Sequence, residues 1–215
     1  MSPLKLYVGN KNYSSWSLRP WIALKAAGVD FVDEVIPFDF PNGNPAIKAV
    51  SETGRVPLLV HDGFKVWESL AIIEYVAELF PEKPIWPIDR QARALARAYS
   101  MEMATGFRGI RNACPMNLRR PRKAMPISDD MRADIDRIEA IWHSSLARSG
   151  GPFLFGAFSA ADAMFAPVIN RFDVYMLSEK PGTLAYIEAM KTHPAWIAWA
   201  EDAARETWIV PEDEA

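Results

Sequence analysis

The sequence predicts an α/β N-terminal domain followed by an all-α C-terminal domain. Three observations carry that expectation. A stretch with the two-residue period of a strand, Leu4–Val8, and a second expected strand, Phe31–Ile36, flank a helical pattern. An Asp62-Gly63 turn separates two apolar runs in the manner of a hairpin. Beyond Pro81, Pro84 and Pro87 the apolar spacing is helical and no strand pattern recurs.

Taken in order, Leu4, Leu6 and Val8 alternate with Lys5 and Tyr7 and read as the first strand. Leu18, Trp21, Ile22 and Ala26 then run at helical spacing from a serine-rich start to Gly28, which is placed to end a helix. The second strand follows almost at once. Short joints on both sides imply a right-handed βαβ unit with parallel strands. A loop containing Pro41, Gly43 and Pro45 leads to the hairpin strands Leu58-Leu59-Val60 and Phe64-Lys65-Val66. A helix from about Glu68 to Phe80, with Leu70, Ile73, Val76 and Leu79 on its apolar face, closes this half. The expected division is residues 1–81, a proline-rich linker at 82–88, and a helical domain at 89–215.

The second half opens with a helix expected over Gln91 to about Asn112, followed by a basic loop. Met131, Ile135, Ile138, Trp142 and Leu146 mark an amphipathic helix, with Asp129, Asp130 and Asp134 near its positive N-terminal end. Met164, Phe165, Val168, Ile169, Phe172 and Tyr175 spread apolar surface around the next helix, which places it at the domain centre. Ser159-Ala160-Ala161-Asp162 forms a capping-box pattern at its start. A last short helix around Pro194, Trp196, Ile197 and Trp199 precedes an acidic tail.

Composition narrows the function classes. The 215 residues are enough to bury a sizeable core. Cys114 is the one cysteine, so no internal disulfide forms and the chain suits a reducing cytoplasm. A net charge of -3 argues against nucleic acid as a partner, and no run approaches the roughly 20 apolar residues of a membrane span. His61, His143 and His193 are widely separated and make no metal-ligand pattern. The chain has neither a glycine-rich phosphate loop nor a nucleophile elbow.

Val56-Pro57-Leu58-Leu59 and Glu68-Ser69 stand out chemically. A strand entered through proline presents the backbone of Val56 outward, and an acid and a hydroxyl at a helix start suit the two charged ends of a small acidic peptide. Each has a plainer reading: proline is common at strand edges, and an acid is favourable in any first helical turn. Ser14, with Ser15 beside it, reads either as an ordinary helix N-cap or as a donor to an anion. Arg108, Arg111, Arg119, Arg120, Arg122 and Lys123 form the one basic concentration, ordinarily a solvated loop and alternatively a mouth that attracts anions.

Tyr13-Ser14-Ser15-Trp16, Val56-Pro57, Glu68-Ser69, the proline linker, the helical half and the capping box occur in the order of the serine-type glutathione transferases, which the chain resembles over nearly its whole length. Ser14-Ser15-Trp16-Ser17-Leu18-Arg19 is similar to the Ser-Ser-Cys-Ser-x-Arg stretch of the zeta class, the maleylacetoacetate isomerases, with Trp16 where that motif has cysteine. Arg171-Phe172 is similar to that class's Arg-Phe pair for a substrate carboxylate, about one turn earlier.

The resemblance implies a thioredoxin-like first domain, glutathione as co-substrate and a cis Val56-Pro57 bond that turns the Val56 backbone to the cysteinyl unit. Glu68 and Ser69 then hold the γ-glutamyl group, and Ser14 or Ser15 stabilises the thiolate. A free thiol with a pKa near about 8.5 is mostly protonated at neutral pH, so catalysis needs such a donor. The implied second substrate is a small electrophilic or carboxylated molecule, with Arg108, Arg111 and Arg171 as its candidate contacts. The implied assembly is a homodimer. Conjugation leads, cis–trans isomerisation is the alternative, and a glutathione-binding scaffold without catalysis is the reading from another class.

Overall fold

A computed structural model describes residues 3–214. The outer expected domain limits, residues 1 and 215, and the first two residues of the N-terminal segment lie outside the described residues. The first half contains β1 (Leu4–Val8), α1 (Ser15–Ala26), β2 (Phe31–Val35), α2 (Pro45–Val50), β3 (Leu58–His61), β4 (Phe64–Trp67) and α3 (Ser69–Leu79). Its sheet has the order β2-β1-β3-β4, with β1 parallel to β2 and antiparallel to β3. The βαβ and hairpin expectations hold. At the hairpin Asp62 and Gly63 both take positive φ, 49° and 82°, the combination that a two-residue turn between twisted strands requires.

The helical half contains α4 (Arg90–Thr105), α5 (Arg108–Ala113), α6 (Asp129–Ser149), α7 (Ala160–Val174), α8 (Pro181–Lys191) and α9 (Pro194–Arg205), ending in a 3₁₀ turn at Pro211–Asp213. Three elements differ from expectation. The stretch read as a loop after Pro41 contains α2, because Pro45 occupies the first helical turn, where a missing amide costs nothing. The single helix expected over Gln91–Asn112 is two, broken where Gly106 is extended and Phe107 turns left-handed at φ 56°. Helix α8 was not anticipated, since its apolar positions Tyr186, Ile187 and Met190 are few and follow a Pro-Gly start.

Helix α7 is the buried centre that its sequence implies. Asp162 at its start accepts the amides of Ser159 (2.9 Å) and Leu154 (3.0 Å) and the Tyr186 hydroxyl (2.8 Å). With the Ser159 hydroxyl (2.9 Å), four donors converge on this one carboxyl group and tie α7 to α8 and to the preceding loop. Trp142 packs against Phe165, Phe172 and Tyr186. One apolar cluster continues from Leu6 and Ile22 in the first half to Phe165 and Trp199 in the second.

Polar contacts lock the halves together. Lys11, buried after β1, places its ammonium between Asp33 (2.7 Å) and Asp202 (2.6 Å), and its carbonyl accepts Trp199 Nε1. Asn12 Nδ2 donates to Asn117 Oδ1 at 2.9 Å. These contacts seat α1 against α7 and α9, which fixes the serine-rich start of α1 at the boundary between the halves.

Candidate active site

A cleft of about 780 Å³ opens at that boundary. From the first half it is lined by Ser14, Ser15 and Trp16 at the start of α1, by Val56 and Pro57 before β3, and by Glu68 and Ser69 at the start of α3. From the second half come Arg111 on α5, Arg171 on α7 and Asp213 of the tail. Eight of the nine residues expected at the site therefore converge: Ser14, Ser15, Val56, Pro57, Glu68, Ser69, Arg111 and Arg171. Arg108 does not. It is exposed as the first residue of α5, one turn before Arg111, and takes no part in the cleft wall.

The Val56-Pro57 bond is cis, and Val56 stands just outside the β1–β3 ladder. Glu68 is exposed and has φ 66°, a left-handed conformation that a side chain with a Cβ rarely adopts without a reason. Ser69 is buried, and its hydroxyl donates to the Trp16 carbonyl at 2.7 Å. Its amide stands at the first position of α3, where helical amides have no partner within the helix.

Ser14 is the residue before α1, yet its side chain caps no helix amide. Its hydroxyl instead donates to Ser17 Oγ at 2.7 Å. The ordinary N-cap role is thus absent. The Ser15 amide donates to the Tyr13 carbonyl at 2.8 Å and is already engaged. The neighbouring Tyr13 hydroxyl donates to Glu214 and accepts from Arg119 Nη2 at 3.0 Å, so it is held by the tail.

Three guanidinium groups gather on one side of the cleft. Arg171 donates to the carbonyls of Cys114 (2.6 Å) and Pro167 (3.3 Å), and Arg111 donates to those of Ala104 (3.2 Å) and Gly106 (3.0 Å). Arg19, buried behind them, donates to Met164 and Ser15 carbonyls. The Trp16 ring joins the group, with the Arg19 and Arg111 guanidinium carbons 4.2 Å and 5.0 Å from its centroid. Among the described residues none of the three arginines forms an ion pair with a carboxylate. Arg171 therefore differs from the buried ion-pair partner that such an arginine usually is.

Burial pushes the Arg171 pKa down to about 10, and the Arg111 charge adds to the effect. Arg19 is driven well below the ordinary guanidinium value by burial, then by Arg171 and Arg111. Asp213 is the acid nearest in effect to this wall. Burial raises its carboxyl pKa, while the Arg171 charge opposes the rise. Cys114 lies next to the wall: burial pushes its thiol up to about 11, which disfavours the thiolate, and its sulfur faces Met125. Trp16, Arg19 and Asp213 were missed as site residues. Trp16 and Arg19 stand in the serine-rich motif and could have drawn notice; no local signal marks Asp213.

A mixed four-stranded sheet with a cis-proline before its third strand, joined to a helical half across a cleft, defines a two-domain protein with a thioredoxin-like first domain. Comparisons with known proteins place it further. Residues 13–79 match the family profile "Glutathione S-transferase, N-terminal domain", and residues 119–202 match "Glutathione S-transferase, C-terminal domain". The chain is 29% identical over 208 residues to a probable maleylacetoacetate isomerase of Caenorhabditis elegans, covering 95% of this chain and 96% of the relative. It is 26% identical over 183 residues to the maleylacetoacetate isomerase of Rattus norvegicus, covering 82% and 81%. A glutathione transferase homolog from Burkholderia GL BGR1, solved with bound glutathione, superimposes with a TM-score of 0.73 at 25% identity, over 96% of this chain and all of that one. The chain belongs to the glutathione S-transferase family, enzymes whose co-substrate is glutathione.

Among the described residues no helix is long and apolar enough to cross a membrane, and no group of three His, Cys, Asp or Glu is placed to hold a metal ion.

Proposed function

We propose that this chain binds glutathione against residues 1–81 and directs its thiolate at a small, carboxylate-bearing electrophile held by residues 89–215. The observation that carries this reading is the arginine wall. Arg111 and Arg171 line the same cleft as Ser14, and among the described residues their hydrogen bonds go to carbonyl oxygens and not to carboxylates. A buried positive charge without a counter-charge is costly, and an anionic ligand relieves that cost.

In this reading the Val56 backbone pairs with the cysteinyl unit. The Ser69 amide takes the γ-glutamyl carboxylate, and Glu68 takes its ammonium group. Ser14 donates to the thiolate and lowers its pKa, which raises the anion fraction available for attack. Sulfur forms a bond to the electrophilic carbon, and a leaving group departs with the bonding electron pair.

A second outcome of the same attack is isomerisation. Addition to a conjugated cis-alkene converts its double bond to a single bond, rotation follows, and elimination restores the alkene as the trans isomer with glutathione regenerated. The similarity to two proteins named as maleylacetoacetate isomerases favours this outcome. A homodimer belongs to the same reading, with exposed Phe64 on the edge strand β4 offering apolar surface. So does a cytoplasmic location, consistent with Cys114 as an unpaired thiol.

The test is an ultraviolet titration of the glutathione thiolate bound to the native protein and to Ser14→Ala, followed by turnover of matched electrophiles with and without a carboxylate. A bound thiol pKa below the free value that rises in Ser14→Ala, with preference for the carboxylated partner, supports the reading. Tight binding with an unmoved pKa in the native protein points to a glutathione-binding scaffold instead. Proton NMR of a cis-alkene acid then separates a thioether from a trans isomer.

A further inference from the structure

Ser17 is completely buried on α1 and is not part of the cleft wall. Its oxygen accepts two hydrogen bonds, from the Ser14 hydroxyl at 2.7 Å and from the Gly9 amide at 3.1 Å. A serine hydroxyl has two accepting lone pairs and one proton to donate. Both lone pairs are used here, and among the described residues the Ser17 proton has no recorded acceptor. A buried donor left unmatched is costly. The Ser14 oxygen is the hydroxyl already within hydrogen-bond distance.

We infer that Ser17 is a positioning residue whose hydroxyl reverses its hydrogen bond with Ser14 when the bound thiol ionises. The inference rests on the proposed role of Ser14 toward glutathione. With the thiol protonated, Ser14 donates inward to Ser17, and its own lone pair is offered to the S–H group. When the thiol loses its proton to water, both hydroxyls rotate. Ser17 then donates to Ser14, and Ser14 donates to the sulfur anion. The Ser17 side chain also tilts slightly, because as placed the pair suits donation from Ser14 to Ser17. The chain now runs from the Gly9 amide through Ser17 and Ser14 to the thiolate, with every donor pointing toward the negative charge. Such a chain polarises each member, and bonds to an ionised acceptor are the strong ones.

The surroundings hold this chain in place. A Cβ on Gly9 would lie 3.1 Å from Ser14 Cβ and 2.5 Å from the Phe38 ring, so a side chain there would displace the donor end of the relay. Ser14 is further fixed through its own amide, which donates to the Asn10 carbonyl at 2.7 Å.

The relay strengthens the thiolate state more than the thiol state, so its loss raises the thiol pKa. For Ser17→Ala, titration of bound glutathione should show the thiolate fraction at neutral pH falling about threefold, a smaller loss than in Ser14→Ala. Affinity for S-methylglutathione, which has no ionisable thiol, should stay unchanged, and Ser17→Thr, which keeps the hydroxyl, should restore the native pKa. A merely structural role would weaken S-methylglutathione binding as well. A native pKa in Ser17→Ala alongside a raised one in Ser14→Ala overturns the relay and leaves the Ser14 reading intact. An unmoved pKa in both variants defeats the Ser14 reading itself. Where Ser17→Ala does not fold, Ser17→Cys, a weaker donor of similar size, must give an intermediate pKa; a native value overturns the relay.

Discussion

The hydroxyl of Ser69 donates to the carbonyl of Trp16 at 2.7 Å, and Pro20 is the reason that this carbonyl is free. A helical carbonyl normally accepts the amide four residues on; that residue here is Pro20, inside α1, and it has none. Ser69 supplies the missing donor from the first position of α3. The two helix starts that line the cleft are thereby joined by one hydrogen bond.

Ser69→Ala should therefore act mainly on folding. Leaving the Trp16 carbonyl without its partner is expected to cost about 1–3 kcal/mol in urea unfolding. Unchanged unfolding together with weakened glutathione binding would instead assign the hydroxyl to the ligand.

Arg111 tests the positive wall with less structural damage than Arg171, because it is half-buried and Arg171 is buried. Arg111→Gln should raise KM for a carboxylated electrophile about ten- to a hundredfold, corresponding to the roughly 1.5–3 kcal/mol of a charge-assisted hydrogen bond. KM for a neutral electrophile of the same shape should hardly move. Equal losses for both would remove the carboxylate role from Arg111.

Asp213 works in the opposite direction. It lines the cleft with Arg171 and partly offsets that arginine's charge. Asp213→Asn keeps the shape and removes the charge, so KM for the carboxylated electrophile should fall by about two- to fivefold, the range of a partly solvated pair. Steady-state kinetics with the neutral analogue provides the control, and an unchanged KM for both would rule out charge compensation by the tail.

Glu139 provides a pH-dependent prediction away from the cleft. Burial tends to raise its pKa, but hydrogen bonds from Lys180 (2.5 Å), Ser178 (2.5 Å) and Thr183 (2.7 Å) outweigh it and hold the carboxyl below 4.5. A carboxyl lowered in the folded state adds stability above its unfolded pKa and loses it as pH falls through the folded value. Glu139→Gln should lower the unfolding free energy by about 1–2 kcal/mol at neutral pH. The difference should shrink below about pH 4. A gap that stays constant across that window would show that the charge is not what matters.

Much of the architecture was legible because its signals are local. The alternation of Leu4, Leu6 and Val8, the Asp62-Gly63 turn and the Ser159-to-Asp162 capping pattern each report on a few adjacent residues. Signals failed where a local rule had two outcomes. Pro45 punctuates a loop or opens a helix, and only the packing of Ile47 into the interior selects α2. Arg108 and Arg111 are equivalent in sequence, yet the break at Phe107 starts a new helix, and carbonyl anchors at Ala104 and Gly106 turn Arg111 into the cleft.

The sequence by itself determined the order of the strands and of the longer helices, the family, and the short motifs at Ser14, Val56-Pro57 and Glu68-Ser69, because periodicity, turn chemistry and capping act over a few residues; α2, α8 and the break between α4 and α5 it did not. Only the tertiary structure decided where the protons and charges go: Ser69 to the Trp16 carbonyl, Ser14 to Ser17, and Arg19, Arg111 and Arg171 to one side of a cleft that Asp213 also lines. Those partners are set by how helices from both halves pack around one apolar core. Contacts between residues as far apart as Lys11 and Asp202 leave no local trace in the chain that makes them.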